Sequence, residues 1–217
     1  LQQDFSESRF FVLKDPRICR LLPFWLEALR NFGAEAKCIL PVRNPVEVAA
    51  SLRERDGFSP AKSYMLWLRH VLDAERTTRS LPRAFLTYDD LLDDWRGTVT
   101  QVASRLELPW TKLSATAEVE IDRFLNARLR HHITDDASLQ HHPEIAKWVK
   151  DTFGLLQELM SDPASRKPQQ RLNKIRAEFD RACDALRDGL RAAEIALEDA
   201  MEQLSERSSR LLERVPS

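Results

Sequence analysis

Two short stretches of this chain share one layout. Phe10-Phe11-Val12-Leu13-Lys14-Asp15-Pro16-Arg17 and Cys38-Ile39-Leu40-Pro41-Val42-Arg43-Asn44-Pro45 each run from apolar residues to a cation, then Asp or Asn, then Pro, and then a helical pattern. A chain leaves a buried strand and enters a helix in this way. The Asp or Asn accepts from backbone N–H groups that lack helical partners, and Pro suits the first helical position because its missing N–H is not needed there. Two such junctions predict that Lys14, Asp15, Arg17, Arg43 and Asn44 lie along the carboxyl edge of one parallel sheet, the edge at which open α/β sheets bind ligands. Cations beside helix N-termini point to an anion, phosphate above all.

The rest of the pattern extends this α/β reading. Residues 9–14 are expected as a first strand and 17–32 as a helix ending before Gly33. Residues 36–43 are expected as a second strand and 45–55 as its helix, with Asn44 and Glu47 at capping-box spacing. A long helix opens at Ser59 or Ser63 and runs to about residue 79. Residues 83–87 are a third strand, followed by helices over 89–95, 98–106 and 143–159. Residues 111–142 are polar and mixed. Strands alternating with helices, with no hairpin signals, imply α/β architecture with a parallel sheet.

The composition shifts at residues 161–168, which read as a linker between an α/β domain over 1–160 and a long helix over 169–215. In that helix Leu172, Ile175, Phe179, Ala182, Leu186, Leu190, Ala193, Leu197, Met201 and Leu204 step by three or four. A helix of roughly 45 residues is about 68 Å long and needs cover for its stripe, either by folding back or by pairing as a dimeric coiled coil.

At 217 residues the chain suits one domain with an appendage. Its 33 basic and 34 acidic residues give a net charge of −1, which argues against a general nucleic-acid surface. Cys19, Cys38 and Cys183 form no CxxC pair, so neither a disulfide framework nor a cysteine-rich zinc site is expected, and a reducing cytoplasm is the simpler setting. No run is long enough to cross a membrane. The first Met is Met65, so a fragment, processed product or excised domain is expected.

Arg43 and Ser51 are the strongest candidate pair. Arg43 ends a strand, where its guanidinium fork suits a two-point phosphate grip, and Ser51 lies two turns into the next helix. The same residues equally suit a strand-end salt bridge and a serine tolerated beside the sheet. His131, His132, His141 and His142, with Asp135 and Asp136, do not meet structural zinc spacing, so no metal is expected. Arg128 and Arg130 read as surface charges. Trp67, Trp95, Trp110 and Trp148 read as core anchors.

Leu13-Lys14-Asp15-Pro16-Arg17, then Val42-Arg43-Asn44-Pro45 through Ala50-Ser51-Leu52, then Leu86-Thr87-Tyr88-Asp89-Asp90-Leu91-Leu92 closely resemble the sulfotransferase family, in its bacterial sulfotransferase-like branch. The resemblance covers roughly residues 8–160. It implies a P-loop-NTPase-like parallel sheet flanked by helices and the donor 3′-phosphoadenosine 5′-phosphosulfate. Arg43 and Ser51 would hold the donor's 3′-phosphate, with Tyr88 near the nucleotide. Asp15 would be the base that activates a hydroxyl acceptor, such as a glycan, and Lys14 would help the leaving group depart. Asp15 before Pro16 is equally a good N-cap, and an Asp that accepts backbone N–H bonds makes a poorer base.

The family's glycine-bearing loop for the 5′-phosphosulfate has no counterpart here. The glycines, at 33, 57, 97, 154 and 189, are nowhere clustered. Sulfate transfer is therefore not expected of this chain without an upstream segment. A non-catalytic remnant that assembles through the C-terminal helix is the alternative from another class, and a kinase-like nucleotide transferase meets the same missing loop.

Overall fold

The computed structural model describes residues 1–8, 10–108, 114–125, 139 and 141–212, without the side chains of 2, 190 and 192–212. Trp110, Arg128, Arg130, His131, His132, Asp135 and Asp136 lie outside the described residues. Elements follow in the order α1 (Gln2–Phe5), α2 (Leu22–Phe32), β1 (Cys38–Val42), α3 (Pro45–Asp56), α4 (Pro60–Thr77), β2 (Arg83–Thr87), α5 (Tyr88–Asp93), α6 (Trp95–Arg105), α7 (Ala115–Phe124), α8 (Lys147–Ser161) and α9 (Arg166–Leu212). The architecture is mixed α and β, with many helices around a small parallel sheet.

Among the described residues that sheet has two strands, β1 and β2, paired in parallel from Cys38↔Arg83 to Val42↔Thr87. The strand expected over 9–14 does not form. Residues 10–15 join no ladder, and Phe11 packs instead on aromatic rings. It stacks on Phe5 at 4.5 Å and meets Phe32 edge-on at 5.8 Å. A groove of about 960 Å3 lies between this segment and the outer edge of β1. That edge has a defect readable in the sequence. The Cys38 N–H donates to the Pro82 carbonyl at 2.9 Å, so Cys38, Leu40 and Val42 bond β2, while Ile39 and Pro41 turn their backbones outward. Pro41 has no N–H to offer a further strand, which places it where proline is tolerated in a sheet.

The first expected helix is also shorter than its apolar spacing suggested. Residues 16–20 form turns, and α2 opens at Leu22 with Pro23 in its first positions. A helix begun at residue 17 would have held Pro23 in its interior, at the loss of a hydrogen bond. At the far end Gly33 takes φ 81 and returns its N–H to the Arg30 carbonyl. The second junction forms as expected: the Asn44 side chain accepts from Val46 N–H at 3.0 Å, Pro45 follows, and Gly57 at φ 68 ends α3. Ser59 caps α4, with its Oγ 3.3 Å from the Lys62 N–H.

β2 starts from a buried ionic cluster. The Arg83 side chain is 4% exposed and pairs with Glu75, which is 1% exposed. Arg83 donates to the Glu75 carbonyl at 2.7 Å and to the Pro163 carbonyl at 2.6 Å, tying α4 and the end of α8 to the root of the sheet. The core lies between α4 and α8, where Trp67, Leu68 and Leu72 are buried with Phe153, Leu156 and Leu159. Within the stretch expected to be irregular, α7 is a helix capped by Ser114. Arg96 reaches Glu118 at 3.2 Å and Asp122 at 2.8 Å, and Trp95 Nε1 donates to Asp122 Oδ1 at 2.8 Å. The missed helical signal was Ser114, whose Oγ caps α7 by accepting from the Ala117 N–H at 3.1 Å.

The connection between α8 and α9 is confined to 162–165, so residues 166–168, read as linker, begin α9. α9 is 47 residues long, or about 70 Å. The chain divides into two units, 1–172 and 173–217. The first holds the sheet and its helices, with Leu172 buried; within the second, the described residues are helical. Among the described residues no helix is long and apolar enough to cross a membrane.

Candidate functional site

Arg43 directly follows Val42, and Tyr88 directly follows Thr87, its partner in the parallel register. The two side chains therefore leave the same sheet edge side by side. The guanidinium carbon of Arg43 sits 4.6 Å from the Tyr88 ring centroid, within cation–π range. Arg43 Nε donates to Glu47 Oε2 at 3.1 Å. The Arg43 side chain is 26% exposed and that of Glu47 only 6%. Trp67 Nε1 donates to the Arg43 carbonyl at 3.3 Å, which fixes the main chain at the strand's end. The described hydrogen bonds of the Arg43 side chain use Nε alone, so its two Nη atoms have no such partner among the described residues.

Asn44 and Glu47 stand at capping-box spacing, and Trp67 reads as a core anchor. Trp67 is buried against Phe153, with ring centroids 6.4 Å apart, and in addition it holds Arg43. Glu47 Oε2 accepts from the Arg43 guanidinium, a strong partner for a buried carboxylate, while the Asn44 side chain accepts from Val46 N–H. Ser51 is half-buried one turn beyond Glu47, on the same side of α3. The N-terminus of α3 adds little for an anion. Pro45 has no N–H, Val46 donates to Asn44 Oδ1, and Val48 donates to the Asn44 carbonyl at 3.1 Å. The charged donor beside this helix start is Arg43.

Lys14 and Asp15 stand apart from this cluster, and neither bonds to Arg43. Lys14 is exposed on the wall of the groove beside β1. Asp15 Oδ1 accepts from the Arg17 backbone N–H at 2.7 Å and from Arg17 Nε at 3.1 Å, and Oδ2 accepts from Nη2 at 3.0 Å. The Arg17 guanidinium, its backbone N–H and then the Lys14 charge hold the Asp15 carboxyl down at about 2. Asp15 thus locks a turn through Arg17 and does not cap a helix. At neutral pH it is a carboxylate of low basicity.

Among the described residues no three His, Cys, Asp or Glu side chains are grouped to hold a metal ion. All five glycines are placed: Gly33 and Gly57 end helices, and Gly97, Gly154 and Gly189 lie inside them. None belongs to a loop that wraps a phosphate in backbone N–H groups. Comparisons with protein-family models, with curated proteins and with solved structures find no match for this chain.

Proposed function

We propose that this chain is a sulfotransferase-like domain of P-loop-NTPase-like architecture whose Arg43 grips the 3′-phosphate of 3′-phosphoadenosine 5′-phosphosulfate. The observation that carries the reading is the Arg43 guanidinium, held at Nε by Glu47 and on one face by Tyr88, at the carboxyl edge of two parallel strands. Its two Nη atoms, without a hydrogen-bond partner among the described residues, suit two-point contact with a phosphate. Ser51, farther along α3, supplies a hydroxyl to the same anion, and Tyr88 borders the nucleotide.

In the reaction the acceptor hydroxyl oxygen forms a bond to sulfur as the bond from sulfur to the 5′-phosphate oxygen breaks. The electron pair leaves on that phosphate, and the hydroxyl proton passes to a base. Asp15, tied to Arg17, is a weak base for this step, and Lys14 offers its charge to the departing phosphate. With no glycine-bearing cradle for the 5′-phosphosulfate among its residues, the chain by itself binds the 3′-phosphate end and does not turn over. The acceptor class is a hydroxyl compound such as a glycan.

Calorimetry with 3′-phosphoadenosine 5′-phosphate and with adenosine 5′-phosphate tests the reading. The first should bind and the second should bind far more weakly. Arg43→Ala should cost the first about 10- to 100-fold in affinity, the range for a lost charge-assisted contact. Equal affinity for the two nucleotides, or no effect of Arg43→Ala, overturns the assignment.

The 47-residue length of α9 favours a second reading, in which the chain assembles through that helix as a non-catalytic module. Sedimentation of the full chain and of a chain ending at 172 separates the two readings. Association confined to the full chain, together with no nucleotide binding, would select the module.

A further inference from the structure

We propose that Glu47 is the positioning residue of the Arg43 site, a role that rests on reading Arg43 as the anion clamp. Among the described residues three contacts fix Arg43: Trp67 holds its carbonyl at 3.3 Å, Tyr88 lies under its guanidinium at 4.6 Å, and Glu47 takes its Nε at 3.1 Å. Of these three, the Glu47 contact is the one that constrains rotation within the guanidinium plane, because the ring face allows the fork to turn above it. Glu47 is buried, and a buried carboxylate carries a desolvation cost that a solvent-facing residue in the first turn of α3 would avoid. Sequestering Nε points the bidentate Nη edge away from the protein partner, so a two-point anion meets a preset fork. The same carboxylate opposes any incoming anion by its own charge. Glu47 thus has two separable effects: its oxygen orients Arg43, and its charge weakens the grip.

Glu47→Gln keeps an acceptor for Nε and removes the charge, whereas Glu47→Ala removes both. The ligand-free protein is read first, through exchange of the Arg43 Nε proton with water by nitrogen-15 NMR. Exchange should stay slow in Glu47→Gln and rise at least tenfold in Glu47→Ala. With 3′-phosphoadenosine 5′-phosphate as the probe, Glu47→Gln should bind at least as tightly as the natural chain. Glu47→Ala should bind about 3- to 10-fold more weakly than Glu47→Gln, the cost of ordering one free side chain on binding. Equal Nε exchange in the natural chain and Glu47→Ala overturns the positioning role whether or not a nucleotide binds. Tenfold weaker binding by Glu47→Gln also overturns it. Slow exchange that is lost only in Glu47→Ala, with no nucleotide bound by any variant, upholds the orientation of Arg43 and overturns the donor reading instead.

Discussion

Replacing Glu75 with leucine should be among the most damaging single changes in the α/β unit, and a second substitution should repair part of it. Glu75 and Arg83 are 1% and 4% exposed at the side chain, so neither charge has water to fall back on. Burial pulls the Arg83 guanidinium below its ordinary value, and the neighbouring Glu75 charge is the largest opposing influence. Glu75→Leu leaves Arg83 buried with its charge uncompensated, which costs about 3–5 kcal/mol by analogy with other broken buried pairs. Arg83→Met is milder. Glu75 retains Arg79, whose Nε lies 2.8 and 3.1 Å from its two oxygens, and the Pro163 carbonyl still accepts from Gln169 at 3.2 Å. Its cost is about 1–3 kcal/mol, that of orphaning buried acceptors. In the double variant no buried guanidinium remains beside the introduced leucine, and Arg79, 23% exposed, reaches water. The double variant should therefore be more stable than Glu75→Leu alone, a non-additivity expected within one network. Urea unfolding followed by circular dichroism measures all three, and the Glu75→Leu midpoint should fall by about 6–20 °C in a thermal scan. A Glu75→Leu cost under about 1 kcal/mol, or a double variant weaker than Glu75→Leu, refutes the reasoning.

Tyr88→Phe should leave nucleotide affinity within twofold, since the ring face is kept, whereas Tyr88→Ala should lower it by about two- to fivefold for a lost exposed cation–π contact; calorimetry reads both, and a larger loss in Tyr88→Phe would transfer the role to the hydroxyl. Asp15 and Asp122 are both held down at about 2, by Arg17 and by Arg96 with Trp95 respectively. Because their folded values lie below the ordinary 3.8, the stability these pairs lend is in place above that pH and is lost as pH falls toward about 2. Carbon-13 titration of the two carboxyl groups should show midpoints near 2, and midpoints at or above 3.8 would dissolve both pairings.

How much of this was legible in the sequence depended on how local each cause is. The junction at Arg43-Asn44-Pro45 was legible because a cap, a proline and a glycine stop are all within reach of one helix. The junction at Lys14-Asp15-Pro16 has the same letters but a different outcome. Pro23 sets the helix start several residues later, and Phe11 finds rings in α1 and α2 instead of a neighbouring strand. The Asp15–Arg17 pair then uses the carboxylate that the pattern had offered as cap or base. Glu47 shows another difficulty, since its pairing with Arg43 depends on where the guanidinium lies, which the cap spacing does not tell.

The pairing of Arg43 with Tyr88 lies at the limit of what letters can carry. Each residue is marked locally as the first beyond a strand, yet nothing in either segment says that they are neighbours. The register does so by setting Val42 opposite Thr87. A slip of one residue would place Tyr88 beside Val42 or Asn44 and exchange the two faces of β2, setting the Phe85 ring where Ala84 packs. Phe85 and Ala84 are both buried, and Arg83 is pinned at the other end of β2 by Glu75 and Pro163. Such a slip would therefore break the buried ionic cluster and the core together. The stability of that cluster and the geometry of the anion site are consequently one problem: the root of β2 holds the register that brings Tyr88 beneath Arg43.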